Sequence, residues 1–322
     1  MDMYESIKNF HTQFSYEPVV ENAEKLAVSK RYIASGMGGS HLAADLIKVW
    51  KPSLDLVIHS GYGLPDLSDE LLSERLAIAI SYSGNTEETV DSFLQAGKKG
   101  LARAAIAVGG KLKELARDEG VPFIELPDTG IQPRMATGFS FKALLKLIGE
   151  NQALTESAAL SKTLNPEEFE SRGQAIARRL KGFVPVIYSS ERNRPIAYNW
   201  KVKFNETGKT PAFINVFPEL NHNEMTSFDV KESTRSLSER FYFIILRDPE
   251  DHPKIQKRME VITKLFQSRG LNAETVELEG KNVFAKMFSS LVLADWAAYY
   301  TAEAYGVEST EVPMVEEFKK LI

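Results

Sequence analysis

One segment constrains the fold of this chain more than any other: a strand-like apolar run that ends in a turn crowded with hydroxyl groups. The run covers residues 76–80, and the turn into the following helix contains Ser81, Ser83, Thr86 and Thr89 around Gly84. Backbone N–H groups and the positive end of a helix dipole favour an anion at such a turn, and hydroxyl groups add donors. The segment therefore predicts a phosphate-binding loop and a phosphorylated small molecule as ligand.

The alternative for this segment is ordinary helix capping by Ser83 or Thr86, because serine and threonine commonly satisfy the first amides of a helix. A cap needs one oxygen, whereas this turn supplies four hydroxyl groups. The density of hydroxyls favours the anion site. A nucleoside is not implied, since the turn has neither the Gly-Lys-Ser/Thr ending of a nucleotide P-loop nor the three-glycine dinucleotide motif.

A second turn of similar design lies upstream. The apolar residues 31–34 lead into Ser35-Gly36-Met37-Gly38-Gly39-Ser40, and a helical pattern follows over residues 41–50. Ligands of open parallel sheets bind beyond the carboxyl ends of the strands, where successive strand-to-helix loops converge. We therefore expect the two loops to face one ligand, with the glycines allowing a close approach of the backbone.

The first half of the chain alternates apolar runs with helical stretches, which predicts an α/β fold with a mainly parallel sheet. The predicted strands lie near residues 31–35, 54–60, 75–81, 103–108 and 121–126, and the predicted helices near 41–50, 86–99 and 111–119. Helical spacing of apolar residues continues from 139 to 160, and a polar stretch follows it. This change in pattern predicts a domain boundary near residues 150–165.

The second half repeats this architecture. Its predicted strands lie near residues 184–188, 212–216, 241–246 and 275–278. Each half opens with a strand, a Ser-containing turn and a helix ending in Lys-Val, which indicates an internal repeat. Because 322 residues exceed the usual size of a single core, we expect two similar three-layer αβα domains, over residues 1–155 and 156–322. An apolar stripe in a helix over 284–305 predicts core or subunit interface.

Composition excludes several classes of function. A net charge of -5 offers no basic stripe for nucleic acid, and no apolar stretch of about 20 residues predicts a membrane span. The chain has no cysteine, which excludes disulfides and thiolate sites, and the pattern at Met1 is not that of a signal peptide, so we expect a cytoplasmic protein. The five histidines have no metal-ligand spacing, so no metal is expected.

Five residues in the rest of the chain are candidates for chemistry. Glu206 and His222 are expected on loops at the same end of the second domain, where they could transfer protons. The alternatives are a solvated helix end for Glu206 and a hydrogen-bonded loop histidine for His222. Arg134 precedes a helix and could bind an oxyanion, although a surface arginine is the commoner case. A C-terminal helix over 315–322 ends in two lysines, and spacing cannot choose between Lys319 and Lys320.

Four motifs together resemble the bifunctional phosphoglucose/phosphomannose isomerases, a branch of the sugar isomerase (SIS) domain superfamily. They are Gly-Met-Gly-Gly-Ser at 36–40, the hydroxyl-rich segment 81–89, Pro-Arg-Met-Ala at 133–136 and Phe-Pro-Glu-Leu-Asn-His-Asn-Glu at 217–224. The segment 81–89 is shared by many SIS proteins, whereas Pro-Glu-Leu-Asn-His-Asn-Glu is far more restrictive. The resemblance extends from about residue 30 to the C-terminus and implies two SIS domains in a homodimer.

The resemblance also implies a role for each matching residue. Glu206, in Asn-Glu-Thr where relatives often have Asn-Glu-Asn, would be the proton-shuttling base. His222, contributed across the dimer interface, and Lys319 would assist ring opening, and Arg134 would stabilise the enediolate. Lys319 is chosen because Val-Glu-Glu-Phe-Lys at 315–319 resembles the Ile-x-x-Leu-Lys ending of the family. The residues implied to hold the phosphate are Gly39, Ser40, Ser81, Ser83 and Thr86.

The implied activity is an aldose–ketose isomerase that needs no cofactor. It would interconvert glucose 6-phosphate, and mannose 6-phosphate, with fructose 6-phosphate through a cis-enediol. Glucose and mannose 6-phosphates differ only at C2, so the acceptance of both depends on the resemblance alone. Two alternatives stay open: a non-catalytic sugar-phosphate sensor, and another SIS enzyme such as a deglycase or amino-sugar isomerase.

Overall fold

A computed structural model describes residues 1–321. The chain divides into two compact units: an N-terminal unit made of Met1 and Asn9–Leu164, and a C-terminal unit made of Asp2–Lys8 and residues 165–321. Ile322, the last residue of the predicted C-terminal helix, lies outside the described residues. Within residues 1–321 none of the helices combines the length and the apolar character that crossing a membrane requires.

The first helix, α1 (Met3–Lys8), belongs to the C-terminal unit. The strands of the N-terminal unit are β1 (Arg31–Ser35), β2 (Asp55–His59), β3 (Leu76–Ile80), β4 (Arg103–Ala107) and β5 (Phe123–Glu125). Its helices are α2 (Leu42–Trp50), α3 (Asp69–Ser73), α4 (Glu87–Lys98), α5 (Gly110–Asp118), α6 (Thr137–Leu147), α7 (Asn151–Ala158) and α8 (Leu160–Thr163). All five predicted strands and the three predicted helices of this region are present.

The N-terminal sheet has the strand order β2-β1-β3-β4-β5, and every neighbouring pair is parallel. Every residue of β3 is buried, as expected for a parallel strand covered by helices on both faces. The strand order reverses at β1, so the loops that follow β1 and β3 leave the sheet side by side. Such a reversal is where open α/β sheets bind their ligands.

In the C-terminal unit the strands are β6 (Val184–Ser190), β7 (Phe213–Phe217), β8 (Phe241–Arg247) and β9 (Asn272–Glu277). The helices are α9 (Glu170–Leu180), α10 (Arg194–Glu206), α11 (Glu224–Ser227), α12 (Arg235–Ser238), α13 (Pro253–Ser268), α14 (Val283–Tyr305) and α15 (Pro313–Lys319). All four predicted strands are present, each within three residues of its predicted start.

The C-terminal sheet has the order β7-β6-β8-β9 and is also entirely parallel. Its four strands therefore repeat the order of the first four strands of the N-terminal sheet, which confirms the predicted pair of similar α/β sheets. On one face, Phe243 of β8 packs with Met259 and Phe266 of α13. The stripe predicted in α14 lies in the core, since Leu291 and Trp296 are fully buried.

Candidate active site

The loops that follow β1 and β3 are hydrogen-bonded to each other. The backbone N–H of Tyr82 donates to Oγ of Ser40 at 3.1 Å, and both groups are buried. A Cβ placed on Gly36 would lie 2.9 Å from the carbonyl oxygen of Ile80, so only glycine allows the first loop to pass this close to the end of β3. The expectation that the two loops share one edge of the sheet is confirmed.

Ser81 gives the hydroxyl-rich loop its shape. Its fully buried Oγ accepts the N–H of Gly84 at 3.0 Å and lies 2.9 Å from Oγ1 of Thr86. Thr86 occupies the N-cap position of α4, yet its side chain makes no capping hydrogen bond. The structure therefore does not support helix capping as the reason for this hydroxyl, and Ser83 is exposed at the tip of the same loop.

The hydroxyl-rich loop is also hydrogen-bonded to the segment between β4 and the start of α5. The N–H of Val108 donates to the carbonyl of Tyr82 and the N–H of Leu112 donates to the carbonyl of Gly84, each at 2.9 Å. Gly84 has a φ of 75°, and a Cβ added to it would lie 1.7 Å from the carbonyl oxygen of Gly109. Glycine at position 84 is therefore required both by the backbone conformation and by the close contact.

Arg134 lies beside the first glycine-rich loop. A Cβ on Gly39 would come within 2.9 Å of the backbone nitrogen of Arg134, so the two segments are in direct contact. The Arg134 side chain is 1% exposed, and the alternative of a surface arginine is wrong. Buried Gln13 fixes the neighbouring start of α6, since its Oε1 accepts the N–H of Gly138 at 3.0 Å. The N-terminal unit thus brings Gly39, Ser40, Ser81, Ser83, Thr86 and Arg134 to one edge of its sheet.

Glu206 is the last residue of α10, and its side chain is partly buried. One turn earlier, Lys203 forms a buried ion pair with Asp295 of α14, with Nζ 2.6 Å from Oδ1. Nζ of Lys209 donates to the backbone carbonyl of Glu206 at 2.6 Å. The end of α10 is therefore held by contacts on both sides of the candidate base.

His222 lies at the opposite end of the strands of the same sheet from Glu206. The helix α10 begins after the carboxyl end of β6 and runs back along the sheet. Glu206, its last residue, therefore lies near the amino end of β7, whereas His222 follows the carboxyl end of β7. The five residues of β7 separate these edges by about 16 Å at a rise of ~3.3 Å per residue. The expectation that Glu206 and His222 lie at the same end of one domain is wrong.

Glu224 anchors the loop that carries the exposed His222. Its carboxylate accepts hydrogen bonds from the hydroxyl of Tyr188 on β6 and from Nδ2 of Asn215 on β7. Burial, and then the Glu224 carboxylate, raise the pKa of Tyr188 above its usual range, so the phenol stays a donor. Glu224 was singled out only as the last residue of the motif at 217–224, and its anchoring role was not predicted.

Lys319 lies on α15, with its side chain 61% exposed and its Nζ 2.8 Å from a carboxylate oxygen of Glu316. The residues from Pro313 to Leu321 are exposed. Within residues 1–321 no group of three or more histidine, aspartate or glutamate side chains is arranged to hold a metal ion.

Comparisons with known proteins agree with this arrangement of strands and loops. The chain is 32% identical to the bifunctional phosphoglucose/phosphomannose isomerase of Aquifex aeolicus, over 99% of this chain and 98% of the relative. It is also 32% identical to the protein of that name from Caldicellulosiruptor bescii, over 98% of both chains. This chain belongs to the bifunctional phosphoglucose/phosphomannose isomerase family. The family predicted from the four motifs is confirmed.

Two further comparisons fit this family. A model of the bacterial phospho-glucose isomerase C-terminal SIS domain matches residues 169–322. Among solved structures, the C-terminal domain of glucosamine-fructose-6-phosphate aminotransferase from Francisella tularensis superposes with a TM-score of 0.70 at 15% identity, covering 96% of both chains. At that identity the likeness shows the fold, which is the predicted pair of SIS-type domains.

The isomerase-family chain has a second strand reversal, between β6 and β8, and the polar residues there were not predicted from the sequence. Ser190 donates its hydroxyl hydrogen to Asp251 at 2.8 Å, and Nδ2 of Asn193 donates to Asp248 at 3.2 Å. Nζ of Lys286, on α14, lies 2.8 Å from Asp248. Burial, with the nearby Asp248 adding to it, raises the pKa of Asp251. These buried donors and carboxylates are hydrogen-bonded or ion-paired with one another at the place where the N-terminal unit presents glycines and hydroxyls.

Proposed function

We propose that the protein is an aldose–ketose isomerase that interconverts glucose 6-phosphate, and mannose 6-phosphate, with fructose 6-phosphate. One observation carries the proposal: the loops after β1 and β3 are joined through Ser40 and Tyr82 at the reversal of a parallel sheet. This is where α/β folds bind phosphorylated ligands. The names of the relatives from Aquifex and Caldicellulosiruptor supply the reaction.

The phosphate is assigned to Gly39, Ser40, Ser81, Ser83 and Thr86. Ser83 is exposed and Thr86 partly exposed, so their hydroxyls are accessible to a ligand. Ser40 uses its oxygen as an acceptor for Tyr82, and a hydroxyl that accepts still has a hydrogen to donate. Ser81 accepts in the same way from Gly84. A loop of neutral donors suits a phosphate ester because it binds the anion without a buried cation.

Glu206 is proposed as the base that removes the C2 proton of the open-chain aldose 6-phosphate and returns it to C1. The C2–H electrons form the C1–C2 double bond, and the aldehyde oxygen takes a proton to give a cis-enediol. The C2 hydroxyl then gives up its proton, which balances the one taken up by the aldehyde oxygen, and return of the abstracted proton to C1 leaves the ketone at C2. Arg134 is proposed to stabilise the developing oxyanion, and such a preorganised donor contributes about 2.7–4 kcal/mol. This sequence of steps uses no cofactor.

His222 is proposed to act from the partner subunit of a homodimer, with Lys319, in ring opening. The support is the position of His222 at the opposite edge of its own sheet from Glu206. A proton-transferring group must approach its substrate atom to within about 3 Å, so the His222 and Glu206 of one chain are too far apart to act together. In a homodimer, the His222 of one chain would act together with the Glu206 of the other. We also propose that the protein is cytoplasmic.

The test begins with purified protein and fructose 6-phosphate, assayed for glucose 6-phosphate and mannose 6-phosphate. Glu206→Gln is expected to lower kcat by about 10²–10⁴-fold, because the base is lost while the shape of the side chain is kept. Binding of glucitol 6-phosphate, which has no carbonyl group to isomerise, should change little. Glu239→Gln is the matched control, since Glu239 is an exposed glutamate of the same unit.

A second arm tests the shared site. Dimers reassembled from equal amounts of Glu206→Gln and His222→Ala chains are expected to recover about a quarter of wild-type activity, because half of the dimers are mixed and one of their two symmetric sites is intact. No recovery in verified mixed dimers would contradict the assignment of His222 to the partner subunit. No product from the wild-type protein without a nitrogen donor would contradict the isomerase and favour a sensor or a deglycase.

A further inference from the structure

Lys209 links the end of α10 to the segment that leads into α15. Its ammonium group donates to two backbone carbonyls, that of Glu206 at 2.6 Å and that of Glu311. Glu206 is the proposed base, and Glu311 lies eight residues before Lys319. A single side chain thus connects the helix that carries one proposed catalytic group to the segment that carries another.

The backbone at the end of α10 is shaped to place this lysine. The N–H groups of Thr207 and Gly208 both donate to the carbonyl of Lys203, at 2.8 and 3.0 Å, which closes the helix. A Cβ on Gly208 would lie 2.8 Å from the carbonyl oxygen of Phe204, so the chain turns tightly there. Lys209 follows with a φ of 53°, a conformation that non-glycine residues rarely adopt. Such a conformation persists where surrounding contacts enforce it.

The segment around Glu311, whose carbonyl accepts the hydrogen bond from Lys209, is held by hydrogen bonds of its own. The carboxylate of Glu308 accepts the N–H groups of Thr310 and Glu311, each at 2.6 Å. Partial burial acts to raise the pKa of Glu308, but these two N–H donors, with Lys209 nearby, lower it below its usual value. Beyond this turn the residues from Pro313 to Leu321 are exposed. The contacts of Glu308 and Lys209 therefore precede a helix that packs little against the rest of its unit.

We propose that Lys209 is a positioning residue for the isomerase reaction, which holds the segment 308–319, and with it Lys319, against the end of α10 that carries Glu206. The inference rests on the proposed function for the roles of Glu206 and Lys319. The contact itself does not depend on that function. Lys209 acts through two backbone carbonyls, so it sets geometry and does not touch substrate.

The experiment compares Lys209→Met with the wild-type protein by hydrogen exchange and by steady-state kinetics. Lys209→Met keeps the length of the side chain and removes the ammonium group. We expect faster amide exchange in residues 308–319 and a kcat lower by about ten- to a hundredfold, as for a small misplacement of a catalytic group. KM should change less than threefold, since the phosphate loops belong to the N-terminal unit. Lys209→Arg, which keeps a cationic donor, should recover most of kcat.

Lys281→Met is the matched control, because Lys281 is an exposed lysine in a loop of the same unit. It should leave both exchange and kcat unchanged. If Lys209→Met does not fold, Lys209→Gln, whose shorter and neutral side chain also removes the ammonium group, carries the same comparison.

Unchanged exchange in 308–319 would overturn the inference, and so would faster exchange with an unchanged kcat. Failure of the proposed function gives a different result, since the wild-type protein would then have no isomerase activity while the exchange measurement would still report on Lys209.

Discussion

The carboxyl ends of β1 and β3 and those of β6 and β8 occupy the same place in two sheets of the same strand order, but they carry opposite chemistry. In the N-terminal unit, glycines and hydroxyls surround the strand reversal, and Ser83 is exposed there. In the C-terminal unit, the buried carboxylates of Asp248 and Asp251 fill it, paired with Lys286, Ser190 and Asn193. We therefore expect an anion to bind at the first reversal and not at the second.

The difference shows that strand order supplies a place for a site and that the few residues after each strand decide its use. A loop whose donors are backbone N–H and hydroxyl groups can give them to a phosphate. At β6 and β8 the corresponding donors are already used by carboxylates of the same unit. We therefore expect one sugar phosphate for each chain, bound at the N-terminal unit.

The largest expected effect that tests this comparison comes from Lys286→Met. The change leaves Asp248, which is 1% exposed, without its cation and should lower the free energy of unfolding by about 3–5 kcal/mol. Denaturant unfolding measures it, with Lys281→Met as the control on an exposed lysine. A loss below about 1 kcal/mol would show that the carboxylates of the second reversal do not depend on Lys286.

Gly84→Ala tests the first reversal. The new Cβ would lie 1.7 Å from the carbonyl oxygen of Gly109 at a φ of 75°, so the loop must move. We expect binding of glucitol 6-phosphate to weaken by about 2–4 kcal/mol, from the lost hydrogen bonds to a charged group. Calorimetric titration measures it. Gly100→Ala is the matched control, because Gly100 has a φ of 67° but no atom within 4 Å of its added Cβ. Equal affinities for the two variants would contradict a phosphate site at this loop.

The smallest expected effect is a change in pH dependence for Asp251→Asn. Burial first, and then Asp248, raise the pKa of Asp251 in the folded protein. The folded state therefore holds this proton more tightly than the unfolded chain, and the contribution of Asp251 to stability falls as pH rises from about 4 through the raised pKa. Urea unfolding between pH 4 and 7 should show the wild-type protein losing stability relative to Asp251→Asn. A difference that is constant with pH, or that grows in favour of the wild type, would contradict the raised pKa.

Much of the fold was predictable because its signals are local. Strands buried on both faces appear as continuous apolar runs, and glycine or hydroxyl residues mark the turns that follow them, as at Gly36 and Ser81. The helix α13 was not predicted, and its apolar residues Met259, Ile262 and Phe266 become recognisable as a core face only against Phe243 of β8. Packing partners far apart in sequence supply that information.

The candidate site was predictable in part for the same reason. The two loops that are proposed to bind phosphate follow neighbouring strands, so the sequence indicated their common edge. Glu206 and His222 were placed at one end because they are close in sequence, but a helix end and the end of the next parallel strand lie at opposite edges of a sheet. The sequence left a surface position possible for Arg134, because the residues around it do not show that Gly39 packs against its backbone. The buried contacts among Lys286, Asp248, Asp251, Ser190 and Asn193 join three segments that are distant in sequence, so no spacing of residues along the chain reveals them.

The most direct measurement is a crystal structure of the Glu206→Gln protein with fructose 6-phosphate, which the variant should bind without turnover. We expect the phosphate within hydrogen-bond distance of Ser83 and Thr86, C1 and C2 of the sugar within reach of the side chain at 206, and no ligand beside Asp251. A phosphate bound at the reversal between β6 and β8, or a sugar whose C1 and C2 lie beyond hydrogen-bond distance of residue 206, would contradict it.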